Sequence, residues 1–279
     1  MNFAFYGLHK FSIVFADLLS EAAKQNTSIK ITGVFARNTT STVNAAIKIN
    51  TKAYASFDDL IKEADVIVIG YGDDSLGEIS MLLKEKGVKN KILCHFSTEY
   101  NSSILSCGTT NTCYSINFPF LYETVKAYKS VNPTITFEGG GRRHDEFKAL
   151  MEENLKKCIF CSRNSRELSL IAKRATTVLV PEVIDVFEFL YKASDIYDKE
   201  EYINLVLKSI ADRLREKPLG TASPKTTEDG LKKNIRVLNA LGEPEMKELY
   251  KQLELYTAEN THYNQEDKYR IRKILNKKK

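Results

Sequence analysis

Apolar and polar positions follow two different periods along the first 160 or so residues, and the two alternate. Short apolar, β-branched runs at 2–6, 29–35, 65–70, 91–95, 113–116, 134–138 and 158–161 read as strands, with 53–55 as a further short one. Between them, helical spacing occupies 12–24, 41–49, 57–63, 76–86 and 142–156. In the first helix Ile13, Val14, Ala16, Leu18 and Leu19 form a mostly apolar surface; before 57–63, Ser56 is a natural N-cap, with Asp58 and Asp59 suited to the positive helix start. The run Asp65-Val66-Ile67-Val68-Ile69-Gly70 is the clearest buried strand, of the kind covered by helices on both faces. Such alternation predicts a doubly wound, mainly parallel sheet, an α/β class, with ligands at the carboxyl ends of its strands.

From Ser165 onward the period is helical almost to the end. Long apolar stretches cover 167–197 and 200–215, a loop follows at 217–225, and further helices at 228–241 and 244–256 precede a basic tail. The expected organisation is therefore a sheet domain at 1–163 and an all-α domain at 164–279 joined without a flexible linker. The apolar periodicity of 167–215 exceeds what one small domain buries, so a homodimer is expected.

Composition narrows the partners. At 43% hydrophobic residues the 279-residue chain can bury two cores. No stretch reaches the roughly 20 apolar residues of a membrane span, and no signal peptide is evident, so neither a membrane nor secretion is expected and the chain reads as cytoplasmic. Net charge is +5, but seven Lys and Arg and no acid fall in the last twelve residues; removing those seven leaves −2 for residues 1–267. A nucleic-acid binder would carry its cations on the body of the fold, so none is expected as partner. Five cysteines, an odd number, suit reduced thiols. Cys158 and Cys161 form a single C-x-x-C with no second pair, read as strand-end core residues rather than metal ligands.

The chemistry-bearing stretch is Phe3 to Ser12. A strand running into a glycine and then a helix start is where a dinucleotide-binding fold puts its phosphate loop, and Gly7, Leu8, His9, Lys10, Phe11 and Ser12 are the candidates to line it. The G-x-G-x-x-G pattern is reduced here to Gly7, His9 and Ser12. His9 must swing out of the loop or narrow the cofactor site. After the second strand, where NAD-preferring domains place an acid, the chain has Arg37, Asn38 and Thr39. An arginine there can pair with a 2′-phosphate, which leans the cofactor to NADP, with NAD or no cofactor as the alternatives; the other reading of Arg37 is an ordinary exposed arginine. Gly70, Tyr71 and Gly72 close the cofactor list. The triple glycine 139–141 lacks the lysine and hydroxyl of a P-loop and reads as a flexible turn.

The order of these pieces resembles the Rossmann-like oxidoreductases with a helical C-terminal domain, kin of pyrroline-5-carboxylate reductase, ketopantoate reductase and 6-phosphogluconate dehydrogenase. The similarity runs to about residue 260. It rests on the loop Gly7–Ser12, on Ala36-Arg37, on Gly70-Tyr71-Gly72-Asp73-Asp74, on His95-Phe96-Ser97-Thr98, on Phe118-Pro119 and on the loop at 221–225. It implies a nicotinamide-linked oxidoreductase acting on a small polar metabolite in a cleft between the domains. By the same resemblance Lys173 is in the neighbourhood of the family's general acid, with Thr177 where an asparagine is usual, and Ser97 and His95 are further catalytic candidates. Each has a plain alternative: Lys173 as a solvated helix-face lysine, His95 as a satisfied strand-end histidine, Ser97 as a helix cap. His144 and His262 read as surface residues. Because His9, Phe118 and the helix without a histidine depart from the pattern, a non-catalytic Rossmann-type binding or regulatory dimer is the second reading.

Overall fold

Four parallel strands build the centre of the sheet because their residues are apolar on both sides. The computed structural model describes residues 1–106, 110–118, 134–174, 205, 208, 212, 227–242, 244–260 and 263–276. Strands β1 (Asn2–Tyr6), β2 (Lys30–Phe35), β3 (Val66–Ile69), β4 (Ile92–His95), β5 (Thr112–Asn117), β6 (Ile135–Gly140) and β7 (Cys158–Cys161) form one seven-stranded sheet in the order β2-β1-β3-β4-β5-β6-β7. The first five are parallel; β6 runs antiparallel to β5, and β7 parallel to β6. The doubly wound, mainly parallel sheet expected from the alternation is thus the fold, and the helices described beyond residue 227 bear out the helical C-terminal region.

Successive residues of β1 and β3 face opposite layers. Phe3, Phe5, Val66 and Val68 pack with Val14, Phe15 and Leu19 of α1 (Lys10–Ala23), Ala45 and Ala46 of α2 (Thr39–Lys48), and Phe147 and Met151 of α5 (His144–Asn154). Ala4, Tyr6, Ile67 and Ile69 pack instead with Phe57 and Leu60 of α3 (Phe57–Glu63) and Leu76, Ile79 and Leu83 of α4 (Asp73–Glu85). Each fully buried side chain of this size contributes about 1.5–3 kcal/mol. A one-residue slip of either strand would exchange the residues of the two layers.

Two compact units divide the chain, Met1–Val178 and Leu179–Lys279. Helix α6 (Arg163–Arg174) belongs to the first, to which it is tied by Arg166 and Lys173. In the second, α7 (Glu228–Leu241), α8 (Pro244–Asn260) and α9 (Gln265–Leu275) enclose a small cluster of Leu231, Ala258, Tyr263, Ile271 and Leu275. The basic tail is therefore in large part α9, an amphipathic helix whose apolar side is buried. Cys107, Pro119, most of the apolar run 175–215, Thr177, the loop 221–225, His262 and Lys277 to Lys279 lie outside the described residues.

Several local expectations are corrected. Residues 53–55 supply only an isolated bridge, Ala53 to Val34. The triple glycine is not a turn: β6 continues to Gly140, and a Cβ on Gly139 would stand 2.0 Å from the Cys113 carbonyl oxygen while one on Gly141 would meet the Thr112 Cα at 2.7 Å. These glycines let β6 approach β5. Cys158 and Cys161, on the edge strand, are half-buried rather than core. His144 is also half-buried, its Nδ1 2.9 Å from the Tyr114 hydroxyl. Among the described residues no helix is long and apolar enough to cross a membrane, and no group of three or more His, Cys, Asp or Glu is placed to hold a metal.

The glycines separate into two kinds with opposite expected effects. Gly139→Ala, at a φ of +129° and against backbone, should cost about 2–4 kcal/mol in thermal or urea unfolding. Gly77→Ala in α4, where an added Cβ meets nothing within 4 Å, should stabilise by about 0.5–1 kcal/mol.

Candidate functional site

The strand order reverses its direction of winding between β1 and β3, and the candidate site is built on that reversal. At the end of β1 the Gly7 amide donates to the Phe35 carbonyl, and the Gly70 amide to the Tyr6 carbonyl, both at 2.8 Å. Gly7 adopts a φ of +74°, and a Cβ there would stand 2.5 Å from the Tyr71 ring. A Cβ on Gly70 would meet the Gly7 carbonyl oxygen at 2.5 Å and the Ser12 Oγ at 2.6 Å. The third glycine of the usual pattern lets a helix approach the strands closely; here Ser12 stands in its place and Gly70 supplies the space. Ser12 Oγ donates to the His9 carbonyl and accepts from the His9 amide, each at 2.8 Å, which closes the first turn of α1 on itself. His9 is exposed as a residue, and its ring centre lies 5.6 Å from that of Phe11. Partial burial lowers its pKa, against the opposing pull of Asp73.

A cavity of about 410 Å³ opens beside this loop, lined by Gly7, Leu8, Ala36, Arg37, Tyr71 and the polar face of α2 from Asn38 to Lys48. Asn38 Oδ1 caps α2 by accepting from the Ser41 amide at 2.8 Å, so the helix begins at Thr39, which is exposed. The Arg37 guanidinium lies 5.0 Å from the Tyr71 ring centre, and its own amide donates to the Tyr71 hydroxyl at 3.0 Å. Of the expected cofactor residues, Gly7, Leu8, Arg37, Asn38 and Tyr71 line the cavity. His9, Lys10, Phe11, Ser12, Thr39, Gly70 and Gly72 do not; Gly72 caps α4 and Gly70 sits beneath the loop.

The three catalytic candidates stand at the carboxyl ends of the adjacent strands β4 and β5. His95 is fully buried. Its Nδ1 accepts from the Ser97 amide at 3.1 Å and its Nε2 lies 3.2 Å from the Asn101 carbonyl, which assigns the proton to Nε2. Burial pushes its pKa down to about 4, so the ring is neutral at pH 7. Ser97 Oγ accepts from the amides of Glu99 and Tyr100 at 3.0 and 2.7 Å. Lys173 is not a solvated lysine. Its Nζ donates to the Phe118 carbonyl at 2.8 Å and reaches Asn117 Oδ1 at 3.4 Å, it lies 5.2 Å from the centre of the Phe11 ring, and burial brings its pKa down to about 8. Phe118, where the resemblance has a histidine, is buried and stacks between Phe11 and Phe96 at 5.5 and 6.3 Å.

Arg166 was not legible as a site residue, yet it is 1% exposed and joins the two strand ends. Its Nε donates to Ser115 Oγ at 3.0 Å, Nη2 to the Ser97 and Tyr100 carbonyls at 2.9 and 2.7 Å, and Nη1 to Glu167 Oε1 at 2.7 Å. The signal available was spacing: Arg166 and Lys173 are seven residues apart, on one face of α6. Helical-period reasoning would turn Leu168 and Ile171 inward, but these are 59% and 67% exposed and the cations face the sheet.

No protein-family model matches the chain, and no curated protein does. Among solved structures, a Thermotoga maritima protein superposes with a TM-score of 0.69 at 17% identity, over 92% of this chain and 98% of that one. The chain carries a Rossmann-type fold. A reductive aminase from Aspergillus terreus, solved in complex with NADPH and ethyl-5-oxohexanoate, matches with a TM-score of 0.59 at 11% identity, over 98% of this chain and 92% of that one. The pyrroline-5-carboxylate reductase of Coxiella burnetii matches with a TM-score of 0.55 at 14% identity, over 94% and 98%. The similarity implied by the ordered motifs is thus a similarity of fold to such reductases.

Burial of His95 has a consequence for stability. Its folded pKa of about 4 lies below the ordinary 6.5, so the unfolded chain binds the proton more readily. Stability is full above pH 6.5 and should fall by about 3 kcal/mol between pH 6.5 and 4. Urea unfolding across that window checks this, and His95→Gln should flatten the slope.

Proposed function

We propose that this protein is a nicotinamide-linked oxidoreductase that prefers NADP and reduces a small polar metabolite carrying a carbonyl or imine. The observation that supports it most is the cavity at the switch point, running from Gly7 and Leu8 to Arg37 and Asn38. The residues present fit the adenosine side of a dinucleotide. The loop at Gly7 and Leu8 borders the cavity, whose lining does not include His9, and a guanidinium stacked on Tyr71 stands at the end of β2. The reduced nicotinamide, when bound, supplies the hydride; the chain must hold it in place and deliver a proton.

Lys173 is the proton donor in this reading. Its carbonyl partner at Phe118 holds Nζ at the end of β5, and Phe11 both covers it and belongs to the helix that starts at the phosphate loop. A lysine whose pKa is about 8 is protonated at neutral pH and gives up its proton more readily than an exposed one. His95 and Ser97 act through the loop they shape, and Arg166 ties that loop to β5. A homodimer completes this proposal, with the site on each copy.

The second reading, a binding protein without catalysis, is favoured by Phe118. A buried ring stacked on two others replaces a histidine that could carry a proton. Titration with NADPH, followed by the emission of the reduced nicotinamide, separates what the two readings require: absence of binding at millimolar cofactor excludes the enzyme. With binding established, Arg37→Ala should weaken NADPH by about tenfold and NADH little; equal losses count against NADP preference. For turnover of a carbonyl substrate, kcat should fall as pH rises through about 8, where Lys173 loses its proton, and Lys173→Met should lower kcat about 100-fold or more with the pH dependence removed.

A further inference from the structure

Arg37 is held from the side by α4. Its Nη2 donates to Ser75 Oγ at 2.9 Å and stands 3.5 Å from Glu78 Oε2. Ser75 and Glu78 are three residues apart and therefore neighbours on one helix face. Both members of the ion pair are well exposed, Arg37 at 53% and Glu78 at 75%, so water and salt screen them. A single amino group makes both contacts. Guanidinium is a planar fork with five donors, and it can keep one edge on α4 while presenting another to a ligand in the cavity that Arg37 lines.

We infer that Glu78 sets the selectivity between dinucleotides with and without a 2′-phosphate, by competing with that phosphate for Arg37. This rests on the dinucleotide reading above. The carboxylate offsets part of the guanidinium charge, and it repels a phosphate carrying between one and two negative charges. A cofactor with a free 2′-hydroxyl leaves the Arg37–Glu78 pair intact and is not opposed. In NAD-preferring domains the discriminating acid follows the second strand directly. Here that place holds the arginine, and the acid in contact with it comes from α4. Ser75, uncharged, aims the guanidinium without opposing the phosphate. An exposed pair of this kind is a weak competitor, so selectivity for NADP is partial, and α4 is the element that grades it.

The test uses the full chain and its Glu78→Gln and Ser75→Ala variants, each titrated with NADPH and with NADH. The chain has no tryptophan, so emission of the reduced nicotinamide is read without transfer from indole. Glu78→Gln should raise the ratio of NADPH to NADH affinity about two- to fivefold, almost wholly through NADPH, and the gain should shrink as salt is raised. Ser75→Ala should lower the same ratio. Both positions are on the helix surface, and unchanged thermal unfolding verifies that the variants fold. An unchanged or lower ratio in Glu78→Gln, where the parent chain binds both cofactors, overturns the inference and leaves the dinucleotide reading standing. Failure of the parent chain to bind either cofactor overturns both.

Discussion

The close approach of the carboxyl ends of β1 and β3 at Gly7 and Gly70 is the constraint on which the rest of the sheet domain depends. Two strand ends, a helix start and a tyrosine ring converge where Cβ atoms on these residues would lie 2.5 to 2.6 Å from their neighbours. Because Gly70 gives up its side chain, Ser12 can fill the place of a third glycine and still bring α1 onto the sheet. Ser12 then closes the first helical turn with the His9 backbone, and His9 is not among the residues lining the cavity. A loop that looks degraded in sequence is, in three dimensions, a redistribution: the space a helix glycine would give is supplied by Gly70 at the end of the neighbouring strand.

Much of the fold was legible for a simple reason. Strands buried on both faces need apolar residues at every position, and runs such as Val66 to Ile69 can hardly be read otherwise. Helix α3 also announced itself through its cap, Ser56, which accepts from the amide of the third residue on. The site was legible only in part. Arg37 and Tyr71 follow strands directly, so their placement is inherited from β2 and β3. Arg166 and Glu78 are brought in by helices packed from elsewhere, and sequence order holds no record of which strand end a helix face will meet. Helix α6 adds a second difficulty, since it turns its cations to the sheet and two large apolar residues to solvent, against the usual sense of amphipathicity.

That inversion is intelligible in terms of unmet backbone polarity. Where parallel strands stop, their last carbonyls and the loops that follow present acceptors with no ladder partner. At β4 and β5 these acceptors are the carbonyls of Ser97, Tyr100 and Phe118, and α6 answers them with Arg166 and Lys173. Burying two cations is unfavourable unless their donors are satisfied. Arg166 has its guanidinium satisfied by four acceptors, three on the loop after β4 and on β5 and the fourth on Glu167 beside it, which makes it a fixed strut.

Lys173 is different in kind. Arg166 is held by hydrogen bonds on every side and acts as a structural group, whereas burial of the Lys173 ammonium brings its pKa down. One helix face therefore carries two cations seven residues apart with separate consequences: one fixes the loop after β4, and the other is left with a proton it holds less tightly than usual. The same desolvation that makes Lys173 costly to bury is what fits it to donate near neutral pH. In the unfolded chain the ordinary 10.5 returns, so the lysine is more stably buried above pH 8 than below it, and protonation for chemistry draws directly on the stability of the strand ends.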